Sequence, residues 1–475
     1  MKRIFLCAII SLLVLLSVTG AIASDVSILG DRLTLHADHV SLQSIFRRLT
    51  DLGIKIRIDP QINPKITASF EDRDIRQGLG SILKSLDHVL IWKSIEGPAG
   101  PIPKLAEIQV FRPGKKERMR PLRPRTRFAI ARNPKDGSFF VRNEILLGLH
   151  SGMTLSEFKA LLRQIGGTIV DSYAAVGLYK IRLPEGADVP SLLEQITRHP
   201  KVAKAEPNYA YLIPPPYGQT GSDIPPPETY NIPAPGDTVP VAVLDTGLSP
   251  HSGVEDFVLA SLDALDPDES ISDSLGHGTQ MALIATGMVK PSGVKSGTHT
   301  QSPIIPIRVF DDNGFTSNFT IMSSIDFALK HGARVMSLSW GSETRSDFLE
   351  TALNDARSKG LIVVASAGNE PTGKPVYPAA IPSVVGVGAL APDGKSWENS
   401  NYGDFVTLYA PGFATLPVGY KGDPGPYAGT SISAADAANV IADYLSEHPV
   451  ATTQEVLVAL SRRYRRLHKS WEQLR

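Results

Sequence analysis

The first two hundred residues alternate short strand patterns with short amphipathic helices. Every second residue between 54 and 58 is isoleucine, which predicts a half-buried strand. Residues 42–49 repeat apolar side chains at helical spacing directly after Ser41, and Asp74 precedes a second pattern of this kind. Both polar residues are therefore expected to cap helices. Residues 25–112 are predicted to form a small α+β domain.

A second small α+β domain is predicted over residues 128–212. Thr154 and Glu157 have the spacing of a capping box, in which each residue bonds the backbone of the other at the start of a helix. The flanking patterns complete the order β-α-β-β-α-β, which is the split arrangement of ferredoxin-like domains. Nine prolines then fall between residues 213 and 240, and this density predicts an extended linker, which we place at 213–237.

The pattern changes after the proline-rich linker. From residue 238 to 465, continuous apolar runs such as 361–365 alternate with helical stretches. Strands that are apolar throughout are buried on both faces, so this rhythm predicts a mostly parallel sheet with helices on both faces. The predicted architecture is an α/β domain preceded by two small α+β domains.

Composition narrows the classes of protein that remain. The 475 residues carry 48 lysines and arginines against 48 aspartates and glutamates, and 42% of them are hydrophobic. This balance excludes wholesale disorder and a dedicated nucleic-acid binder, which needs a basic excess. The single cysteine, Cys7, excludes a disulfide framework. Basic residues concentrate between prolines at 113–127, which predicts a solvated linker, and again in a tail at 466–475.

The amino terminus has the pattern of a secretory signal peptide. Lys2 and Arg3 precede an apolar run over residues 4–18, and small residues follow it up to Ala23. A membrane anchor is the alternative, but a spanning helix needs about 20 apolar residues. We therefore expect residues 1–23 to be a signal peptide and the protein to be exported to the periplasm or the extracellular medium.

Four polar residues of the last domain carry the candidate chemistry, and two of them stand where parallel-sheet domains collect their ligands. Asp245 and Asn369 each follow a buried strand pattern, and the carboxyl ends of such strands meet at one edge of the sheet. His277 and Ser431 each open a helical pattern behind a glycine. A serine hydroxyl needs a neighbouring base to act as a nucleophile, and an imidazole needs a carboxylate to hold its tautomer. An asparagine amide can stabilise the oxyanion that forms when the serine attacks a carbonyl.

The order aspartate, histidine, serine is that of subtilisin-like serine proteases, and residues 238–465 resemble this family over almost their whole length. The resemblance implies a subtilisin-like fold, with Asp245 orienting the base and His277 acting as general base and then acid. It also implies that Ser431 is the nucleophile and Asn369 the oxyanion donor.

The resemblance further implies which segments line the substrate cleft. The segments are Ser337, Leu338, Ser339, Trp340 and Gly341, and Ser366, Ala367 and Gly368. Trp340 is bulky and is expected to narrow a subsite. Leu283 and Ala435 stand where the family usually has glycine and proline, which bears on rate and specificity rather than on the identity of the catalytic groups.

The two small domains resemble known modules. Residues 128–212 resemble the subtilase propeptide, which assists folding and blocks the cleft as an intramolecular inhibitor; a permanent accessory domain is the alternative. Residues 25–112 resemble the small amino-terminal domain of secretins and TonB-dependent receptors, which implies docking to a cell-envelope protein, with a spacer domain as the alternative.

Acidic residues between 263 and 273 are candidate ligands of a structural calcium ion, although their spacing identifies no metal site and solvated acids are the alternative. They are Asp263, Asp266, Asp268, Glu269 and Asp273. The chemistry of the four polar residues requires no cofactor. The sequence thus predicts an exported serine endopeptidase that is made as a precursor, cuts protein or peptide substrates through an acyl-enzyme intermediate and binds no nucleic acid. The alternative is a non-proteolytic envelope adaptor built on the same scaffold.

Overall fold

The computed structural model describes residues 25–123, 127–215, 217–218, 238–293 and 301–467, with only the backbone given for 461–467. The predicted signal peptide, most of the proline-rich linker and the end of the basic tail lie outside these residues. The chain divides into two compact units, Met1–Ser94 with Pro103–Arg125 and Ile95–Ile102 with Thr126–Arg475.

The amino-terminal domain contains two small sheets and two helices. The sheets have the strand orders β1-β2-β4 and β5-β6-β3-β7. The elements are β1 (Asp25–Leu29), β2 (Arg32–Ser41), α1 (Leu42–Asp51), β3 (Lys55–Ile58), β4 (Lys65–Asp74), α2 (Ile75–Leu83), β5 (Asp87–Gly97), β6 (Gly100–Phe111) and β7 (Arg120–Pro121). The side chains of Ser41 and Asp74 cap α1 and α2 as the sequence predicts.

The amino-terminal domain extends further than the sequence suggested. Strand β7 pairs antiparallel with β3, and the amide of Leu122 donates to the carbonyl of Ile56 at 2.8 Å. Part of the predicted basic linker 113–127 therefore belongs to the sheet. Pro121 is tolerated there because β7 is an edge strand, where the missing N–H of proline costs no ladder bond.

The middle domain has the predicted order of elements, with one short strand, β8 (Ile130–Arg132), added before it. The others are β9 (Phe139–Leu149), α3 (Leu155–Ile165), β10 (Thr168–Tyr173), β11 (Leu178–Arg182), α4 (Val189–Ile196) and β12 (Val202–Leu212). Thr154 and Glu157 form the expected capping box on α3. The antiparallel sheet runs β10-β11-β9-β12 and continues onto β17, a strand of the last domain.

The last domain is built on a seven-stranded parallel sheet of order β15-β16-β14-β18-β19-β20-β21. Its elements, in chain order, are β13 (Tyr217–Gly218), β14 (Val241–Asp245), β15 (Leu262–Asp263), α5 (His277–Ala285), β16 (Ile304–Arg308), β17 (Phe315–Ser317), α6 (Asn318–Lys330), β18 (Val335–Leu338), α7 (Asp347–Ser358), β19 (Ile362–Ser366), β20 (Val384–Leu390), β21 (Leu408–Pro411), β22 (Phe413–Leu416), β23 (Gly425–Ala428), α8 (Thr430–Glu447) and α9 (Thr453–Leu467).

Two pairs of helices cover this sheet. Helix α5 packs with α8, α6 packs with α7, and both pairs contact strands of the sheet. Strands β14, β18 and β19 are neighbours and run in the same direction, so their carboxyl ends lie side by side. No helix among the described residues is both long and apolar enough to cross a membrane.

Candidate active site

Asp245 and His277 form a buried pair at the carboxyl edge of the sheet. Asp245 is the last residue of β14 and His277 the first of α5. The Nδ1 atom of His277 lies 2.7 Å from Oδ1 of Asp245, and the two residues are only 3% and 1% exposed. The carboxylate thereby fixes the orientation of the imidazole ring and leaves its Nε2 atom available for proton transfer.

A second carboxylate, that of Asp273, holds the start of α5 against the end of β14. Its Oδ1 atom accepts from the Thr246 hydroxyl at 2.9 Å and from the amide of Gly276 at 2.8 Å. Its Oδ2 atom accepts from the amide and the hydroxyl of Thr279 at 2.9 and 2.7 Å. From the sequence, Asp273 is a candidate calcium ligand or a solvated acid, although an aspartate a few residues before a helix start is also a capping signal.

Close backbone packing at the start of α5 requires glycine. Gly276 has a φ of 89°, and a Cβ atom there would lie 2.0 Å from the carbonyl oxygen of Gly419. A Cβ atom on Gly278 would lie 2.4 Å from the carbonyl oxygen of Gly247. The two glycines on either side of His277 therefore let the helix approach the neighbouring loops closely enough to place the ring.

Ser431 lies in the first turn of α8 and is 5% exposed. It lines the same cavity as His277. Its hydroxyl donates to the carbonyl oxygen of Ser339 at 3.0 Å rather than to the imidazole.

The side chain of Asn369 is held in one orientation beside Ser431. Its Oδ1 atom accepts from the amide and the hydroxyl of Thr430, at 2.9 and 2.8 Å. Two donors on Oδ1 identify that atom as the oxygen, so the amide nitrogen is on the other branch. Asn369 and Ser431 both line the cavity.

The predicted substrate-lining segments follow the carboxyl ends of β18 and β19. Ser339 contacts Ser431 directly, and the amide of Gly368 donates to the Thr430 hydroxyl at 3.2 Å. Trp340 is fully buried, and its ring centroid lies 5.0 Å from that of Tyr211. Ser337, Leu338, Ser366 and Ala367 are also buried.

Residues of the chain itself occupy the cleft. Ala210, Tyr211 and Leu212 pair antiparallel with β17, and the amide of Ile213 donates to the carbonyl of Gly314 at 2.9 Å. Pro214 and Pro215 line the cavity that holds His277, Asn369 and Ser431, and Tyr217 pairs with Ala428 of β23. The space left is about 20 Å³, which is enough for about one water molecule.

Residues 213–218 fall within the linker that the sequence predicts, but the structure places the described ones against the candidate site. The composition explains the difference: prolines cannot donate to a strand ladder, so this segment carries no strand pattern. Tyr420 is a further site residue that no sequence motif marks. Its hydroxyl donates to the carbonyl of Pro214, and its ring lies edge-on to His277 with centroids 4.9 Å apart. Burial, reinforced by the charges of Asp245 and Asp273, raises the pKa of Tyr420, so the phenol stays protonated as a donor.

The candidate calcium ligands have protein partners. Asp263 pairs with Arg308 at 2.8 Å, and Asp266 pairs with Arg127 at 3.2 Å. Within the described ranges, no three histidine, cysteine or acidic side chains are grouped so that they could hold a metal ion.

Comparison with known proteins adds the family. Residues 236–467 match the model of the subtilase family, and residues 128–208 match that of the fervidolysin N-terminal prodomain. Thermitase of Thermoactinomyces vulgaris is 33% identical over 195 residues, which cover 40% of this chain and 70% of thermitase. A thermophilic serine proteinase of Bacillus sp. (strain AK1) is 29% identical over 282 residues, or 58% of this chain and 70% of that protein.

Among solved structures, fervidolysin from Fervidobacterium pennivorans, a keratinolytic enzyme related to subtilisin, superposes with a TM-score of 0.53 at 25% identity. The match covers 67% of this chain and 57% of fervidolysin. The parallel sheet and the middle domain agree with these matches. The chain belongs to the subtilase family of serine endopeptidases and carries a prodomain of the fervidolysin type.

Proposed function

We propose that the protein is an exported endopeptidase that hydrolyses peptide bonds through Ser431, His277 and Asp245 and is made as an inhibited precursor. The observation that carries this proposal is the buried Asp245–His277 hydrogen bond, which lies beside Ser431 in a cavity filled by a polypeptide segment. A site that accepts an extended peptide next to a nucleophile and a base is suited to acyl transfer.

The proposed reaction has two halves, acylation of Ser431 and hydrolysis of the acyl-enzyme, and His277 accepts and then returns a proton in each half. Ser431 Oγ forms a bond to the substrate carbonyl carbon while its proton passes to Nε2 of His277. The carbon–nitrogen bond then breaks, and the amine leaves with that proton. A water molecule hydrolyses the acyl-enzyme by the same steps in reverse, and Asp245 stabilises the imidazolium formed in both halves. The Asn369 amide donates to the oxyanion, and the loss of such a donor in subtilisin costs about 3–4 kcal/mol of transition-state stabilisation.

The segments 337–341 and 366–368 are proposed to line the substrate cleft on either side of the reacting bond. Contact of Ser339 with Ser431 and of Trp340 with Tyr211 supports the first segment. The hydrogen bond from Gly368 to Thr430, which is the neighbour of Ser431, supports the second.

The middle domain is proposed to act as the intramolecular inhibitor. Its last strand, β12, continues the prodomain sheet onto β17, and the residues after it pass the candidate nucleophile. Substrate and inhibitor then compete for one cleft. Self-cleavage within residues 209–237 would release the cleft.

Export and the role of residues 25–112 are also proposals. The basic and apolar pattern of residues 1–23 supports export. The α+β order of residues 25–112 supports a docking domain like that of secretins and TonB-dependent receptors, with a cell-envelope protein as its partner.

Labelling of the full chain with a fluorophosphonate tests the enzymatic role. We expect the probe to modify Ser431, slowly in the wild type and faster in Tyr211→Ala, in which the occupying segment loses a buried side chain. Ser431→Ala and His277→Ala are expected to give no label, and mass spectrometry locates the modified peptide. A folded Tyr211→Ala protein that never labels would refute the catalytic proposal and favour the adaptor alternative.

A further inference from the structure

The side chain of Tyr211 is seated in a pocket of the protease domain. The residue is 1% exposed, and its ring packs on Trp340, which in turn contacts Phe310 at a centroid distance of 6.0 Å. Tyr211 lies three residues before Pro214, which borders the cavity at Ser431. The pocket is therefore one that a substrate side chain would enter when an extended peptide follows the same path through the cleft.

A hydrogen-bond acceptor lies inside this aromatic pocket. The Tyr211 hydroxyl donates to Oδ1 of Asn318 at 2.7 Å, and Asn318 is 0% exposed. Burial raises the pKa of Tyr211, so its hydroxyl keeps the proton that it donates. The pocket thus combines an apolar wall for a ring with one polar atom for the tip of the ring.

Neighbouring hydrogen bonds determine which end of the Asn318 amide faces the pocket. The Ser346 hydroxyl donates its only hydrogen to Oε1 of Glu206 at 2.6 Å. It must therefore accept from the amide nitrogen of Asn318, which lies 2.7 Å away. With its nitrogen engaged there, Asn318 presents its oxygen to the phenol.

We propose that this pocket selects tyrosine over phenylalanine in the substrates of the protease. The proposal rests on the proposed function, because it uses the same cleft. A phenyl ring would fill the apolar part of the pocket but would leave the buried Asn318 amide without its partner. Sites built around a hydroxyl discriminate against the analogue that lacks it, and one unpaired buried group corresponds to about a 5- to 150-fold preference.

The preference does not depend on the inhibitor being in place. When the prodomain and its Glu206 leave, the Ser346 hydroxyl is free to donate to Asn318, and the amide can reverse. Its nitrogen would then face the pocket and donate to the phenol oxygen, because a tyrosine hydroxyl both donates and accepts. Either orientation of Asn318 pairs with tyrosine, and neither pairs with phenylalanine.

Hydrogen exchange tests the pocket without requiring catalysis. In the full chain carrying Ser431→Ala, exchange of the amides of residues 210–213 reports how often the segment lifts from β17. We expect Tyr211→Phe to accelerate this exchange about 5- to 150-fold. In an Asn318→Leu background the same change should have an effect below about twofold, because its partner is gone. Tyr209→Phe, which removes a hydroxyl from the same strand without touching Asn318, is the control.

Equal acceleration by Tyr211→Phe in both backgrounds, or no acceleration in either, would overturn the inference.

A second experiment uses the full chain with Tyr211→Ala and two quenched peptides. The peptides differ only in having tyrosine or phenylalanine three residues before the residue whose carbonyl is attacked. A ratio of kcat/KM above about 5 that falls to about 1 in Asn318→Leu supports the subsite, and a ratio of 1 in both overturns it. If neither peptide is cut, the proposed catalysis fails, and the hydrogen-exchange experiment alone decides whether the pocket recognises the tyrosine hydroxyl.

Discussion

Glu206 of the prodomain caps a helix of the protease domain, and its removal should open the cleft. Its Oε1 atom accepts from the Ser346 hydroxyl at 2.6 Å and from the Phe348 amide at 3.0 Å, and its Oε2 atom accepts from the Asp347 amide at 3.3 Å. These donors belong to the start of α7, whose amides have no partner within the helix. A negative charge at this end also meets the positive end of the helix dipole.

The expected magnitude follows from these contacts. Loss of a helix cap costs about 0.5–2 kcal/mol, and a hydrogen bond to a charged group contributes about 1.5–3 kcal/mol. Because water replaces part of what is lost, we expect Glu206→Ala to weaken prodomain docking by about 2 kcal/mol, which corresponds to about a 30-fold larger open fraction.

The assay is the rate at which a fluorophosphonate labels Ser431 in the full chain. Glu206→Ala should label about 30-fold faster than the wild type. Glu194→Ala is the matched control, since that glutamate forms an exposed pair with Lys135 within the prodomain. If Glu206→Ala labels at the wild-type rate while Tyr211→Ala labels faster, the cap does not hold the prodomain, and the reasoning is wrong.

The same carboxyl gives docking a pH dependence of known sign. Burial raises the pKa of Glu206 above its ordinary value of 4.5, against the opposing hydrogen bonds from Ser346, Phe348 and Asp347. The docked state therefore binds this proton more tightly than the free prodomain. The stabilisation of docking that comes from the proton on Glu206 is fully present below pH 4.5. It is lost as the pH rises through the raised pKa. The labelling rate of the wild type divided by that of Glu206→Gln should rise with pH over this window, and a flat ratio would contradict the assignment.

Two further predictions concern the site itself. Asp273→Asn should lower the free energy of urea unfolding by about 1.5–3 kcal/mol and slow the labelling of Ser431, because an amide NH₂ would face the Thr279 amide. The control is Asp256→Asn, at an exposed position, which should change neither quantity. Pro215→Ala should make the chain cut itself after residue 214, as the change restores an ordinary amide next to the nucleophile. A new amino terminus at residue 215, absent when Ser431→Ala is added, would be seen by mass spectrometry, and an uncut chain would show that this bond does not lie in a reactive position.

The local features of the fold could be predicted because they depend on neighbours in the sequence. Ser41 and Asp74 cap helices through amides two or three residues away, and Thr154 does so within its own capping box. Asp245 and His277 could be paired from the sequence because a serine nucleophile needs a base whose tautomer a carboxylate holds, and the order Asp245, His277, Ser431 is typical of subtilisin-like proteases.

The contents of the cleft could not be predicted in this way. Pro214 and Pro215 indicate only that this part of the segment lacks N–H donors. The residues that it contacts in the cleft, such as His277, lie more than sixty positions later in the sequence. No sequence pattern singled out Tyr211, because its hydroxyl donates to Asn318, 107 residues away. The role of Asp273 could have been predicted, because it accepts from the amides of Leu275, Gly276 and Thr279, which follow it within six residues. The cluster of acids around it suggested metal binding instead.

The way the prodomain is held explains how a segment can fill a protease cleft without being consumed. Its anchors lie away from the reacting groups: the Tyr211 ring sits in its pocket and Glu206 caps α7. Near Ser431 the segment offers Pro214 and Pro215, which have no N–H to align with the cleft. Binding that is equally strong before and during reaction raises occupancy without lowering the barrier, so such a segment inhibits well and reacts slowly. A substrate that keeps the tyrosine anchor but replaces the proline after the attacked carbonyl should therefore bind along the same path and be cut.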